Sequence, residues 1–278
     1  MLILALSAAA TLTGALGTYL TKSITIRMPV WQAIAPLFAI NALLVVPLIP
    51  LGGPWIFDDW RILALHALSI ALLCGSTACI FGLITRGRPS AVAVGQALSP
   101  ASVLIAAPLV LGTQLSLAVV VGVILLMCGA LYPLRRSFAG LRSASTIGIL
   151  VAMGVMVGLL TVATAGLASL GVGLPETYIV RTAGASLIYL VLAPPRSIRA
   201  ADLPPLAVRS FFVTLSYILT IVAVQRGNVI AIQSVLATMP LVVLLIEWLR
   251  KRQSPERGVM LGALIVLGGL FILLRIGT

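Results

Sequence analysis

The chain has 278 residues, 61% of them hydrophobic and 9% charged, with 18 basic against 6 acidic side chains and a net charge of +12. A mean hydropathy of +1.21 excludes an ordinary soluble domain, which is roughly 45–50% apolar and about 25% charged. The basic residues fall mostly in short connections between apolar runs, as anchoring and topology signals do, so nucleic acid is not an expected partner.

Apolar runs bounded by proline, glycine or basic clusters predict helices over 2–21, 30–50, 61–85, 90–111 and 114–134, then over 145–169, 175–193, 205–225, 228–249 and 257–275. Most are close to the roughly 20 residues that a helix needs to cross a bilayer. They are continuous, without the alternating pattern of barrel strands, which excludes a membrane β-barrel. The first run begins directly after Met1, with no basic region and no clear cleavage site, and reads as a retained span. Cys74, Cys79 and Cys128 lie within apolar runs with neither CxxC spacing nor a histidine or acidic cluster beside them. They are packing residues, and no disulfide, metal or cofactor is expected.

The most polar connection near the midpoint, Arg135 to Ser143, divides the chain into 1–138 and 141–278. Sliding the sequence along itself by 140 residues, without a gap, aligns Gly14 with Gly154, Thr21 with Thr161, Ser76 with Ser216 and Arg86-Gly87 with Arg226-Gly227. The same register pairs Pro100 with Pro240, Gly122 with Gly262, Gly129 with Gly269 and Arg135 with Arg275. Five spans per half make the second copy enter the membrane in the opposite sense. The expected fold is therefore all-α and integral to the membrane, with ten transmembrane helices as two inverted five-helix repeats and a substrate site near the midplane between them.

The stretch Thr85-Arg86-Gly87-Arg88-Pro89-Ser90-Ala91 through Gln96-Ala97-Leu98-Ser99-Pro100 runs on to Leu111-Gly112-Thr113, Gly122 and Gly129, and has its counterpart from Gln225 to Gly269. With these motifs the chain resembles the drug/metabolite transporter superfamily in its ten-helix form with two EamA-type repeats. Thr113 and Gln253 stand where that pattern ends in glutamate. The resemblance implies a central cavity lined by helices of both halves, access alternating between the two faces, and no covalent chemistry; the chain is not expected to be an enzyme.

Among residues that could carry function, Arg181 lies inside its span, where an ionisable side chain faces a cavity or a partner; the competing reading is an anchor paired with Glu176. Glu247 is the acidic residue well inside a predicted span and the first candidate for ion coupling, against a local pair with Arg250 and Lys251 at helical spacing. His66, the one histidine, sits one to two turns from Trp60 and Arg61. Uncharged polar residues where repeat-related helices should meet add Thr11, Gln96, Ser99, Tyr217 and Gln233, with Tyr178 near Arg181; each binds substrate or bonds a neighbouring helix. Gly14, Gly112, Gly122, Gly129, Gly262 and Gly269 are packing positions, and Trp31, Trp55, Trp60 and Trp248 belong to an aromatic belt.

All basic residues except Arg61, Arg181, Arg226 and Arg275 lie on the side opposite the termini. The positive-inside rule then puts both termini outside, whereas the resemblance implies cytoplasmic termini; basic residues that line the pathway, or one span fewer or more than ten, would reconcile the two. The expected function is secondary transport or export of a small polar metabolite, anionic or zwitterionic, across a plasma (bacterial inner) membrane by a monomer or homodimer. The alternatives are flipping of a polyprenyl-phosphate-linked sugar and multidrug export.

Overall fold

The computed structural model describes residues 2–25, 29–85, 89–132, 144–196, 198–251 and 257–276. Their regular structure is helical: α1 (Leu2–Thr25), α2 (Val30–Val45), α3 (Trp60–Thr85), α4 (Pro89–Ala97), α5 (Ser99–Leu111) and α6 (Leu117–Leu131), followed by α7 (Ala144–Ser169), α8 (Leu174–Leu192), α9 (Leu203–Val224), α10 (Val229–Leu236), α11 (Met239–Lys251) and α12 (Arg257–Ile276). Six spans are long and apolar enough to cross a bilayer, and three shorter apolar helices accompany them. Within hydrocarbon the helix is the form that satisfies every backbone group inside its own segment, so the apolar runs dictate it. Exposed Leu43, Leu109, Leu117, Val191 and Leu264 form the lipid-facing surface that a soluble protein would not leave bare.

The boundaries have local causes. Pro47 and Pro50 tighten the end of α2 into 3-10 turns at Val46–Leu51. Pro175 opens α8, Pro204 and Pro205 open α9, and Ser116 and Asn228 cap α6 and α10 by accepting backbone N–H groups. Gly112 closes α5 at φ +64°, with open space where a Cβ would stand. That corrects its reading as a packing glycine: it is a left-handed cap, a conformation that L side chains disfavour.

Two spans are broken rather than continuous. α4 and α5 meet at a turn on Leu98, just before Pro100; α10 and α11 meet at Ala237–Thr238, just before Pro240. Proline lacks the N–H that would continue the ladder, and the breaks at Leu98 and Thr238 stand 140 residues apart, as do Pro100 and Pro240.

Packing follows the pairs α1 with α9, α3 with α7, α2 with α8, α6 with α12, α5 with α7 and α11 with α1. Exchanging the two halves leaves this set of pairs unchanged. The α6–α12 crossing has the same property in detail. A Cβ on Gly269 would stand 2.9 Å from the Gly122 carbonyl oxygen, and one on Gly129 would stand 2.8 Å from the Gly262 carbonyl oxygen. Small residues allow this close approach, the usual source of association between helices in lipid. Gly14 is likewise a packing site, against Met239 and Ser216. Trp31, Trp55 and Trp60 are exposed close to helix starts. The expected half boundary, Arg135 to Ser143, lies outside the described residues, as do Arg86 to Arg88 and Gln253.

Candidate functional site

A cavity of about 450 Å³ lies between the halves. Its wall takes Thr18 and Thr21 from α1, Ser76 and Thr77 from α3, Gln96 from α4 and Ser99 from α5, all in the first half. From the second half come Thr161 and Thr164 of α7, Arg181 of α8, Arg209, Ser216, Tyr217 and Thr220 of α9, and Gln233 of α10. Leucine, isoleucine, valine and methionine side chains fill in between them.

The lining reaches Thr21, Ile84, Val92 and Arg209, each within two turns of a helix end on the face opposite the termini. Toward the terminal face the lining reaches Thr164, Arg181, Thr220, Ile221 and Gln233, each within two turns of a helix end there. Behind it on that face, Tyr178 packs with Val45, and Ile62, Leu167 and Val172 form a second buried cluster.

Arg181 is 2% exposed. One terminal nitrogen donates to Thr164 Oγ1 at 2.7 Å, whereas Nε meets no partner. Among the described residues no carboxylate lies within ion-pair distance of it. The expected alternative, a pair with Glu176, is not what is found: Glu176 faces His66 instead, with Nε2 and Oε1 3.3 Å apart. A buried guanidinium short of partners stabilises the fold poorly; what it offers is an anion site.

Arg209 is the second cation, half-buried in the wall, its Nε donating to Thr21 Oγ1 at 3.1 Å. The lining therefore holds two arginines and, among the described residues, no carboxylate. Sequence reasoning counted Arg209 among the connection charges, although its own span over 205–225 enclosed it. A lone arginine followed by fifteen uncharged residues was the signal available.

Of the residues singled out from sequence, Arg181, Gln96, Ser99, Tyr217 and Gln233 are brought together on the cavity wall. Gln233, 3% exposed, is a junction: Thr161 Oγ1 donates to its Oε1 at 2.7 Å and its Nε2 donates to Ser99 Oγ at 2.6 Å. Ser99 Oγ in turn donates to the Gln96 carbonyl at 2.7 Å, beside the break between α4 and α5. Four helical segments are thus tied at one point of the wall.

Tyr178 and Thr11 do not reach the cavity. Tyr178 is buried, its hydroxyl donating to Thr214 at 3.1 Å and its ring 6.0 Å from that of Tyr217, so it supports the wall from behind. Thr11 donates to the Ser7 carbonyl at 2.8 Å and, at 3.3 Å, to the Val235 carbonyl next to the break between α10 and α11. Glu247, the expected coupling residue, lies on α11 with its side chain outside the described ones.

Apolar helices around a polar-lined cavity are the architecture of a multi-pass membrane protein. Residues 145–275 match the model of the EamA-like transporter family. That family lies within the drug/metabolite transporter superfamily, its members are transporters rather than enzymes, and the apolar helices make this chain an integral multi-pass membrane protein. A solved crystal structure is similar over 98% of this chain and 97% of its own, with TM-score 0.76 at 15% identity, a likeness of fold. No curated protein matches the sequence.

Proposed function

We propose that this transporter carries a small anionic or zwitterionic metabolite by alternating access between two inverted five-helix halves, with Arg181 receiving the anionic group. The observation that carries the reading is the buried Arg181 in the wall of a cavity with a second arginine and no described carboxylate. In a low-dielectric, partly enclosed site, such a charge set attracts anions and repels cations. Thr164, Tyr217 and Gln233 supply uncharged donors and acceptors around it. The inverted arrangement is supported by the ungapped 140-residue register, by helix pairings unchanged on exchange of the halves, and by the proline breaks at equivalent places. Broken helices at a repeat interface are where such carriers bind their cargo. The test is uptake into proteoliposomes of an anion that stabilises the purified protein, comparing wild type with Arg181→Ala. The variant should reach the membrane and lose transport; normal transport with unchanged affinity would remove Arg181 from the site.

A further inference from the structure

We propose that His66 and Glu176 form a proton-binding site at the starts of α3 and α8, and that a proton bound there opens the terminal face. The proposal rests on the transport reading above and adds the coupling site that reading lacks.

The two side chains come from α3 and α8 and are 110 residues apart in sequence, yet they meet in an environment where they are 3% and 2% exposed. Glu176 Oε1 faces His66 Nε2 at 3.3 Å, and Oε2 accepts the Ile56 backbone N–H at 3.0 Å. The carboxylate therefore ties segment 52–59 down onto the start of α8. Phe57 covers the imidazole, ring centroids 6.1 Å apart, and Trp55 packs on Phe57 at 5.9 Å. The same segment closes over Ile62, Leu167 and Val172, and Gly52 sits against Gly173 and the ring of Pro175 so closely that neither glycine has room for a Cβ. These contacts seal segment 52–59 onto the starts of α3 and α8 at the terminal face.

The protonation state follows from the hydrogen bonds. His66 Nδ1 is buried and has no partner. With Nε2 as donor to the carboxylate, a neutral ring leaves Nδ1 as a bare lone pair, whereas an imidazolium would bury an N–H with no acceptor. The sealed pair is thus a neutral imidazole beside a carboxylate, with room for one more proton. Placed on His66, that proton creates an orphaned donor that only water can satisfy; placed on Glu176, it removes the charge-assisted bond holding Ile56. Both products weaken the seal.

The charged and titratable groups around the pair are few. Arg181 and Tyr178 lie deeper on α8, Asp58, Asp59 and Arg61 lie at the outer edge, and Tyr217 and Arg209 of α9 lie farther along the cavity. The described parts of α2 and α7 carry no titratable side chain.

Because His66 is the only histidine, its ring can be read alone by NMR in full-length, tag-free protein labelled with 15N-histidine in detergent micelles. The expected spectrum is an Nε2–H neutral tautomer that gives way to imidazolium in one step on acidification through the window in which the protein stays folded, a step displaced in Glu176→Gln. Opening is read by maleimide labelling of Leu167→Cys, in a chain whose Cys74, Cys79 and Cys128 are replaced by alanine, because Leu167 is fully buried beneath the seal. Labelling, divided at each pH by the rate of the same cysteine in the denatured chain to remove the fall in thiolate, should accelerate by up to about tenfold per pH unit on acidification, the dependence of a step linked to one proton. It should be flat with pH in Glu176→Gln and in His66→Gln, which keeps a donor for the carboxylate should the first variant not fold. A ring that does not titrate in this window, a step unchanged in Glu176→Gln, or labelling of Leu167→Cys indifferent to pH would each overturn the proposal. None of these readouts requires transport, so they fail or succeed independently of the anion reading.

Discussion

Replacing Arg181 by methionine separates a binding arginine from a structural one. The side chain is 2% exposed and has one described hydrogen bond, to Thr164. Methionine keeps an unbranched stem of similar reach and removes the charge. Placing an arginine within the membrane costs about 2.5–3.5 kcal/mol on insertion scales, and the lost bond to Thr164 is worth about 1–1.5 kcal/mol. Thr164 Oγ1 keeps a partner of its own, the Leu160 carbonyl at 2.8 Å, so no orphan is left behind. The net expectation is a gain of about 1–2 kcal/mol, or roughly 2–4 °C in Tm for a chain of this size. Anion affinity should meanwhile fall by about 1.5–3 kcal/mol, roughly 10- to 150-fold in Kd. Thermal unfolding in detergent, with and without the anion, measures both quantities on one sample. A variant that is less stable than wild type by more than about 1 kcal/mol, with anion binding intact, would show Arg181 to be a structural post and refute the reasoning.

The other expectations concern the wall and the helix crossing. Gln233→Leu and Thr161→Val should show a coupling energy of about 0.6–1.7 kcal/mol in a double-mutant cycle, the range for hydrogen bonds between membrane helices; additive effects would mean the Thr161–Gln233 bond at 2.7 Å contributes nothing. Gly129→Ala should cost about 1–3 kcal/mol by overpacking, because its Cβ would stand 2.8 Å from backbone atoms of both Gly262 and Val266. Gly148→Ala, in the interior of α7 with nothing within 4 Å, should instead be neutral or stabilising by up to about 1 kcal/mol. If the two glycine variants unfold alike, the close crossing of α6 and α12 is not what Gly129 provides.

The helices were legible because lipid makes the rule simple: an apolar run of bilayer length has one way to satisfy its backbone. Runs expected over 145–169 and 61–85 are α7 and α3 to within one residue. The breaks at Leu98 and Thr238 could be anticipated from Pro100 and Pro240, since proline cannot continue the ladder. What a chain pattern does not carry is which distant side chains meet. Pairing with Arg181, five residues away and on the same helix, was the alternative open to Glu176; it found His66, 110 residues away, because α3 and α8 begin on the same face. Thr164 as the partner of Arg181 was equally out of reach, one threonine among several in an apolar helix. Gly112 looked like the other glycines because residue type alone does not report the sign of φ.

The most direct measurement is a thermal-shift screen of detergent-purified wild type and Arg181→Met against metabolites grouped as anions, zwitterions, cations and lipid-linked sugars, since a ligand that binds only the folded state raises apparent stability. The account expects an anion or zwitterion to stabilise the wild type and to lose that effect in the variant. Stabilisation by cations, or equal stabilisation of both proteins by the same anion, would contradict it.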